Sequence, residues 1–147
     1  MKKKISILIL LTVILIPFPS LGEAQSLEYD STELKVQDLM MLLVLDSVAI
    51  PINEYYSNFL KENPVVYPYE IELKQIERME GFRSFHFVIT LEVTPVIGPH
   101  IAVGKDGVTL EVSPVLPETI KVLTYEHLET YELPAKWRHV IKKPKIS

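Results

Sequence analysis

At 147 residues the chain is the size of one ordinary domain. Its 48% hydrophobic and 23% charged content marks a globular chain, and a formal charge of −4 argues against nucleic acid as the main partner. The absence of cysteine excludes disulfides, thiolate zinc sites, a cysteine nucleophile and a lipidated-cysteine anchor.

Met1 is followed by Lys2, Lys3 and Lys4, then by the apolar run ISILILLTVILI, then by PFPSLGEAQS. A charged start, a short apolar core and small residues at a cleavage point make a secretory signal over residues 1–24. Cleavage fits after Gly22 or after Ala24, and the small pair Gly22 and Ala24 favours the second. A retained membrane anchor is the competing reading, but a span needs about 20 apolar residues and this run stops short at Pro17 and Pro19. Cleavage after Ala24 removes three lysines and Glu23 and leaves a charge of −6. Residues 25–30 are a short polar lead-in, residues 31–141 one domain, and residues 142–147 a basic tail.

Asp30 stands three residues before Glu33, a spacing that resembles a capping box. The segment TELKVQDLMMLLVLDSVAI predicts a helix over about 32–46, buried on most sides in its late, nearly all-apolar half. Pro51 breaks or kinks it. In PINEYYSNFLKEN, the residues Ile52, Tyr55, Tyr56, Phe59 and Leu60 follow helical spacing, which predicts a second helix stopped at Asn63-Pro64.

The period then becomes alternating. Tyr67, Tyr69, Ile71 and Leu73 form the dry face of a first strand, and Phe85, Phe87, Ile89, Leu91 and Val93 that of a second. Thr94-Pro95 and Gly98-Pro99 bend the chain. HIAV is a short strand, GVTLEVS another with Val108, Leu110 and Val112 dry, and TIKVLTYEHLETYEL the last long one. In the tail, Trp137, Val140 and Ile141 share one amphipathic turn. Short turns make neighbouring strands antiparallel, and the helices are the available cover for the dry face. The expected fold is α+β: an N-terminal helical layer, either a kinked helix or two helices, on a curved antiparallel meander of four to five strands.

Several stretches invite a functional reading. GPHIAVGKDG has five residues between Gly98 and Gly104 where a P-loop has four, and Asp106 follows Lys105 where serine or threonine belongs. The stretch therefore reads as a corner at Gly98-Pro99 and a hairpin turn at Asp106-Gly107. Of the histidines His86, His100, His127 and His139, only His86 and His127 with Glu129 suggest a metal cluster, with His127 and Glu129 on one face of the last strand. Glu70, Glu72, Glu92 and Glu111 fall on the wet face, as a solvated surface or as carboxylate pairs for acid–base work. Ser84 and Ser113 lack a nucleophile-elbow motif. Trp137, Arg138, Lys142, Lys143 and Lys145 give an acidic protein a basic end that could rest on anionic lipid or wall polymer.

The stretches FRSFHFVITLEVTPVIGPHIAVGKD, TYEHLETYELP and TELKVQDLMMLLVL together resemble the family called domain of unknown function 3888, over about residues 30–137. The resemblance implies a small exported protein of spore-forming Gram-positive bacteria with one compact domain. It brings no activity, cofactor or catalytic residue, so nothing passes to His86, His100, Asp106 or His127.

The reading that follows is an exported, extracytoplasmic module that binds an envelope protein, a peptide or a wall polymer without catalysis. The alternatives are an envelope hydrolase, dependent on metal or carboxylates and centred on His86 and His127, and a membrane-tethered accessory protein with an uncleaved N-terminus. No catalytic, cofactor-binding or metal residue is assigned, no cofactor and no nucleic acid are expected, and membrane contact is expected only through a retained signal or the basic tail.

Overall fold

Helix α1 (Thr32–Tyr56) opens the regular structure in the computed structural model, which describes residues 30–143. The helix runs unbroken through Pro51, so of the two expected forms of the helical layer it is one helix and not two. A proline inside a helix costs about 3 kcal/mol, because it lacks the N–H and crowds the preceding turn. The buried stripe Met41, Val44, Val48, Ile52 and Tyr56 continues past it. Burying Ile52 and Tyr56 returns about 1.5–3 kcal/mol for each such side chain, enough to offset the break.

Burial of α1 is confined to that stripe, contrary to the expectation for its late half. Leu39, Leu42, Leu43 and Ile50 are exposed, Leu43 at 68%. One sheet can cover only one side of a helix, and no second layer lies outside it among the described residues. The helix is also long and apolar enough to cross a membrane by length and composition, a test that core helices and signal sequences pass equally.

After a 3-10 turn at Pro68–Glu70 come β1 (Ile71–Arg78), β2 (Phe87–Val93), β3 (Val96–Ile97), β4 (Ile101–Ala102), β5 (Gly104–Val112) and β6 (Ile120–Thr130). The first strand is thus shorter than the alternation from Tyr67 suggests: Pro68 starts a turn rather than a ladder. The main sheet is antiparallel in the order β1-β2-β5-β6, and β3 and β4 form a separate hairpin between β2 and β5. A final 3-10 turn, Ala135–Val140, buries Val140 and half-buries Trp137. Ile141 bridges Leu60, and the Lys142 amide donates to the Phe59 carbonyl, so the start of the basic tail is tied to the end of the helical region. The leader at residues 1–24, the lead-in before Asp30, and residues 144–147 of the tail, Lys145 among them, lie outside the described residues.

Strand register arranges the helix-facing side in four rows. Arg78, Phe87, Val112 and Ile120 form the first, and Ile76, Ile89, Leu110 and Val122 the second. Leu73, Leu91, Val108 and Tyr125 form the third, and Ile71, Val93, Asp106 and His127 the fourth. The rows hold only because of β-bulges, one extra residue each, at Lys74 in β1 and at Leu123 and Leu128 in β6. Each bulge shifts the alternation by one residue, so Tyr125 and His127 face inward although strict alternation from Ile120 and Val122 would turn them out.

Candidate functional site

In the fourth row, three apolar neighbours would be ordinary; instead a carboxylate and an imidazole stand side by side. Asp106 is 0% exposed and lies mid-strand in β5, so the turn expected at Asp106-Gly107 does not exist. The turn chemistry there is overridden by the alternation that carries Val108 and Leu110 inward two residues at a time. The actual β5–β6 turn spans residues 113–119 and uses Pro114 and Pro117.

A buried carboxylate needs donors. Asp106 Oδ1 accepts from the Tyr125 hydroxyl at 2.8 Å and from His127 Nδ1 at 2.7 Å. A carboxylate only accepts, so Nδ1 carries the proton, and in the neutral ring Nε2 is left as an acceptor. Nε2 lies 2.7 Å from the Thr130 hydroxyl. The Leu128 bulge puts Thr130 within reach of the ring three residues earlier. Tyr55 stacks on the imidazole, with centroids 4.5 Å apart and planes 24° apart, and Tyr56 meets it edge-on.

Asp106 Oδ2 and the Tyr56 hydroxyl are both buried, and neither completes a hydrogen bond among the described residues. They are close enough that the carboxylate still acts on the phenol. Burial first, and the negative charge of Asp106 second, push the Tyr56 pKa far above its ordinary value. Burial and the hydrogen bond to Asp106 do the same to Tyr125. Both phenols therefore stay protonated, and Tyr125 serves as a neutral donor. Gly104 completes the enclosure: a Cβ there would stand 2.3 Å from the Tyr56 hydroxyl and 2.4 Å from the Glu129 carbonyl oxygen. Next to the cluster, a cavity of about 170 Å³ is bordered by Tyr55, Tyr56, Phe59, Leu133, Ile141 and Thr130, among others.

The other residues singled out by sequence are dispersed. His86 is on the opposite sheet face, at the first-row end, with Nε2 2.8 Å from Glu111 and Nδ1 3.3 Å from Glu80. Six residues of strand, roughly 20 Å, separate that end from His127. Glu129 pairs with Lys105 while His127 pairs with Asp106, so the bulge turns Glu129 away from His127. The register therefore brings His86, His127 and Glu129 into no common site, and no group of three potential ligands converges among the described residues.

Glu72 and Glu92 are paired across β1 and β2 on the wet face, and Lys105 binds Glu92 at 2.8 Å. That lysine holds the Glu92 carboxyl below its usual range. The pair is charge-compensated at the lip of a polar cleft of about 300 Å³ that also touches Glu70. Ser84 and Ser113 accept backbone amides two residues on, which is turn chemistry. His100 sits at positive φ in the β3–β4 turn, with Nδ1 3.2 Å from the Tyr69 hydroxyl. In the same turn Gly98 has φ +49 and lies under the Trp137 ring, which leaves no room for a Cβ. His139 lies in the final 3-10 turn, its ring beside Trp137.

A third feature was not legible as a site in sequence. An open groove of about 490 Å³ lies between the first half of α1 and the first two rows of the sheet. Met40, Leu43, Val44, Ile76, Phe87, Ile89, Val112 and Ile120 line it, with Thr119 as its hydroxyl. Arg78 stands at the sheet end beside it, its guanidinium carbon 4.5 Å from the centre of the Phe87 ring.

The model of the family described as "Protein of unknown function (DUF3888)" matches residues 36–129, from the second turn of α1 to the penultimate residue of β6. The chain belongs to this family. The match covers the groove, Asp106 and His127, and ends one residue before Thr130, so the DUF3888 segment contains the four-row sheet nearly whole. No curated protein and no solved structure matches the chain.

Proposed function

We propose that the protein is an exported module of the cell envelope that binds an amphiphile, an aliphatic chain bearing an anionic head, in the groove between α1 and β1-β2-β5-β6. The observation that carries this reading is the lining. It is aliphatic apart from Phe87 and Thr119, it is open, and the Arg78 guanidinium, which also donates to the Ser84 carbonyl, stands beside it. A volume of about 490 Å³ falls within the usual range of ligand pockets, about 300–1,000 Å³. Cations held against an aromatic face suit an anionic head that keeps one side in water. Strand addition of a peptide is less favoured, because bulges interrupt both edge strands, one in β1 and two in β6. Export rests on the charged and apolar pattern of residues 1–24.

The test of binding is titration of the form beginning near Gln25 with dansyl-labelled undecanoic acid. Saturable, blue-shifted fluorescence that palmitate displaces is expected. Leu43→Glu should weaken it at least about tenfold, since it places a like charge in the lining. Absence of saturation, or equal binding by the variant, overturns the reading. Export has its own test, intact-mass analysis of fractionated cells. A soluble species starting near Gln25 in the medium or wall fraction is expected, and a chain still starting at Met1 and found only in cytosol refutes it.

A further inference from the structure

Asp106, His127 and Thr130 form a chain of carboxylate, imidazole and hydroxyl linked at 2.7 Å and 2.7 Å. Asp106 is sealed from water, His127 is mostly buried, and Thr130 is exposed at the end of β6. The burial gradient runs from the orienting acid to the group that a substrate could reach. Tyr125 and Tyr55 hold the first two members, one by a hydrogen bond to the carboxylate and one by stacking on the ring. Thr130 borders the cavity of about 170 Å³, whose other walls are aromatic and aliphatic. A water occupies about 30 Å³ of liquid, so the cavity holds roughly five to six such volumes, the size of a short acyl group.

A purely structural pairing would also satisfy the far nitrogen, but it would need no cavity beside the residue that ends the chain. Nucleophilic catalysis needs these parts in this order: a nucleophile on the base, the base on an orienting acid, and room for the reacting group. We propose that Thr130 is the nucleophile of an esterase site for short-chain carboxylic esters, with His127 as general base and Asp106 as its positioning residue. This site is separate from the apolar groove and does not depend on it.

In the first half-reaction the Thr130 oxygen bonds to the ester carbonyl carbon while its proton passes to His127 Nε2. The carbon–alkoxy bond then breaks, and the alcohol departs with that proton. In the second half-reaction water attacks the acyl-threonine, giving its proton to His127. The carboxylic acid leaves and Thr130 recovers its proton from the imidazole. The net change is ester plus water to acid plus alcohol. Asp106 keeps the Nδ1 proton in place throughout, so that Nε2 faces the hydroxyl.

The test uses para-nitrophenyl butyrate with the form beginning near Gln25, following nitrophenol release and mapping acylated peptides by mass. A burst with a butyryl group on Thr130 is expected. Thr130→Val, at an exposed position where the fold tolerates it, should lose the adduct and at least about 100-fold of the rate. Thr130→Ser should acylate at that position. Asp106→Asn, where it remains folded, should lower kcat with little change in KM, because an amide can present an N–H to Nδ1 and no longer fixes the proton there. Hydrolysis undiminished in Thr130→Val, an adduct on a lysine instead, or no burst at all each overturns the proposal.

Discussion

Asp106 and His127 are direct cross-strand partners in the core-facing row nearest the end of α1, joined at 2.7 Å. A small domain that buries a carboxylate completely must satisfy it from within, and here the donors are an imidazole and the Tyr125 phenol. Two tyrosines surround the same acid, yet only one of them bonds to it.

That difference predicts an asymmetry between two otherwise similar substitutions. Tyr125→Phe removes a hydrogen bond to a buried acid and should cost about 1.5–3 kcal/mol. Tyr56→Phe removes a buried hydroxyl that lies near Asp106 but completes no hydrogen bond, and should cost clearly less, about 1 kcal/mol or under. Urea denaturation of the two variants decides it; equal costs would mean that Tyr56 also holds the carboxylate.

Gly104→Ala tests the closeness of packing between α1 and β5. The added methyl would meet the Tyr56 hydroxyl and, more seriously, the Glu129 backbone oxygen, which cannot swing aside. A loss of about 1–3 kcal/mol is expected from overpacking. An unchanged melting temperature would show that the β5–β6 ladder opens at this point.

His86 supplies a pH-dependent term. The hydrogen bond to Glu80 raises its pKa above the ordinary value, burial opposes this in part, and Glu111 adds to the rise. A raised folded-state pKa stabilises the protein fully below the unfolded value of about 6.5, and the contribution fades as pH climbs through the folded value. The melting-temperature gap between the wild type and His86→Ala should therefore be larger near about pH 5.5 than near about pH 8.5. A gap that grows with pH would contradict the assigned pairing.

The bulges make a register prediction. Leu123 and Leu128 are the extra residues of β6 and are 42% and 46% exposed, so either should accept lysine within about 0.5 kcal/mol. Leu110, in the second row, is wholly buried, and lysine there should cost well over 3 kcal/mol. A large loss at Leu128 with none at Leu123 would mean that β6 keeps strict alternation from Ile120.

The fold class was legible because its signals are local. Helical spacing through Met41, Val44 and Val48, and alternation through Phe87, Ile89, Leu91 and Val93, declare which side of each element is dry whatever it packs against. Pro51 misled only in part, since tertiary burial of Ile52 and Tyr56 decides whether a proline ends a helix or sits inside one. The outer face of α1 misled more, because composition shows how apolar a helix is but not how many layers exist to cover it.

The candidate sites lay beyond the sequence for the same reason. Asp106-Gly107 carries turn chemistry by itself, and only the ladder on both sides places Asp106 inside. A hint was present: stepping back by twos from Leu110 through Val108 lands on Asp106. His127, Tyr125 and Thr130 had no such hint, because a bulge is invisible until two strands are paired and each bulge reverses which residues face inward. The sequence by itself determined the two layers, the antiparallel strands and the dry faces of β2 and β5, which depend on spacing within one segment. Tertiary structure alone decided the register, and the register set which polar groups share the core, since contacts between distant segments depend on a count of residues that no single segment contains.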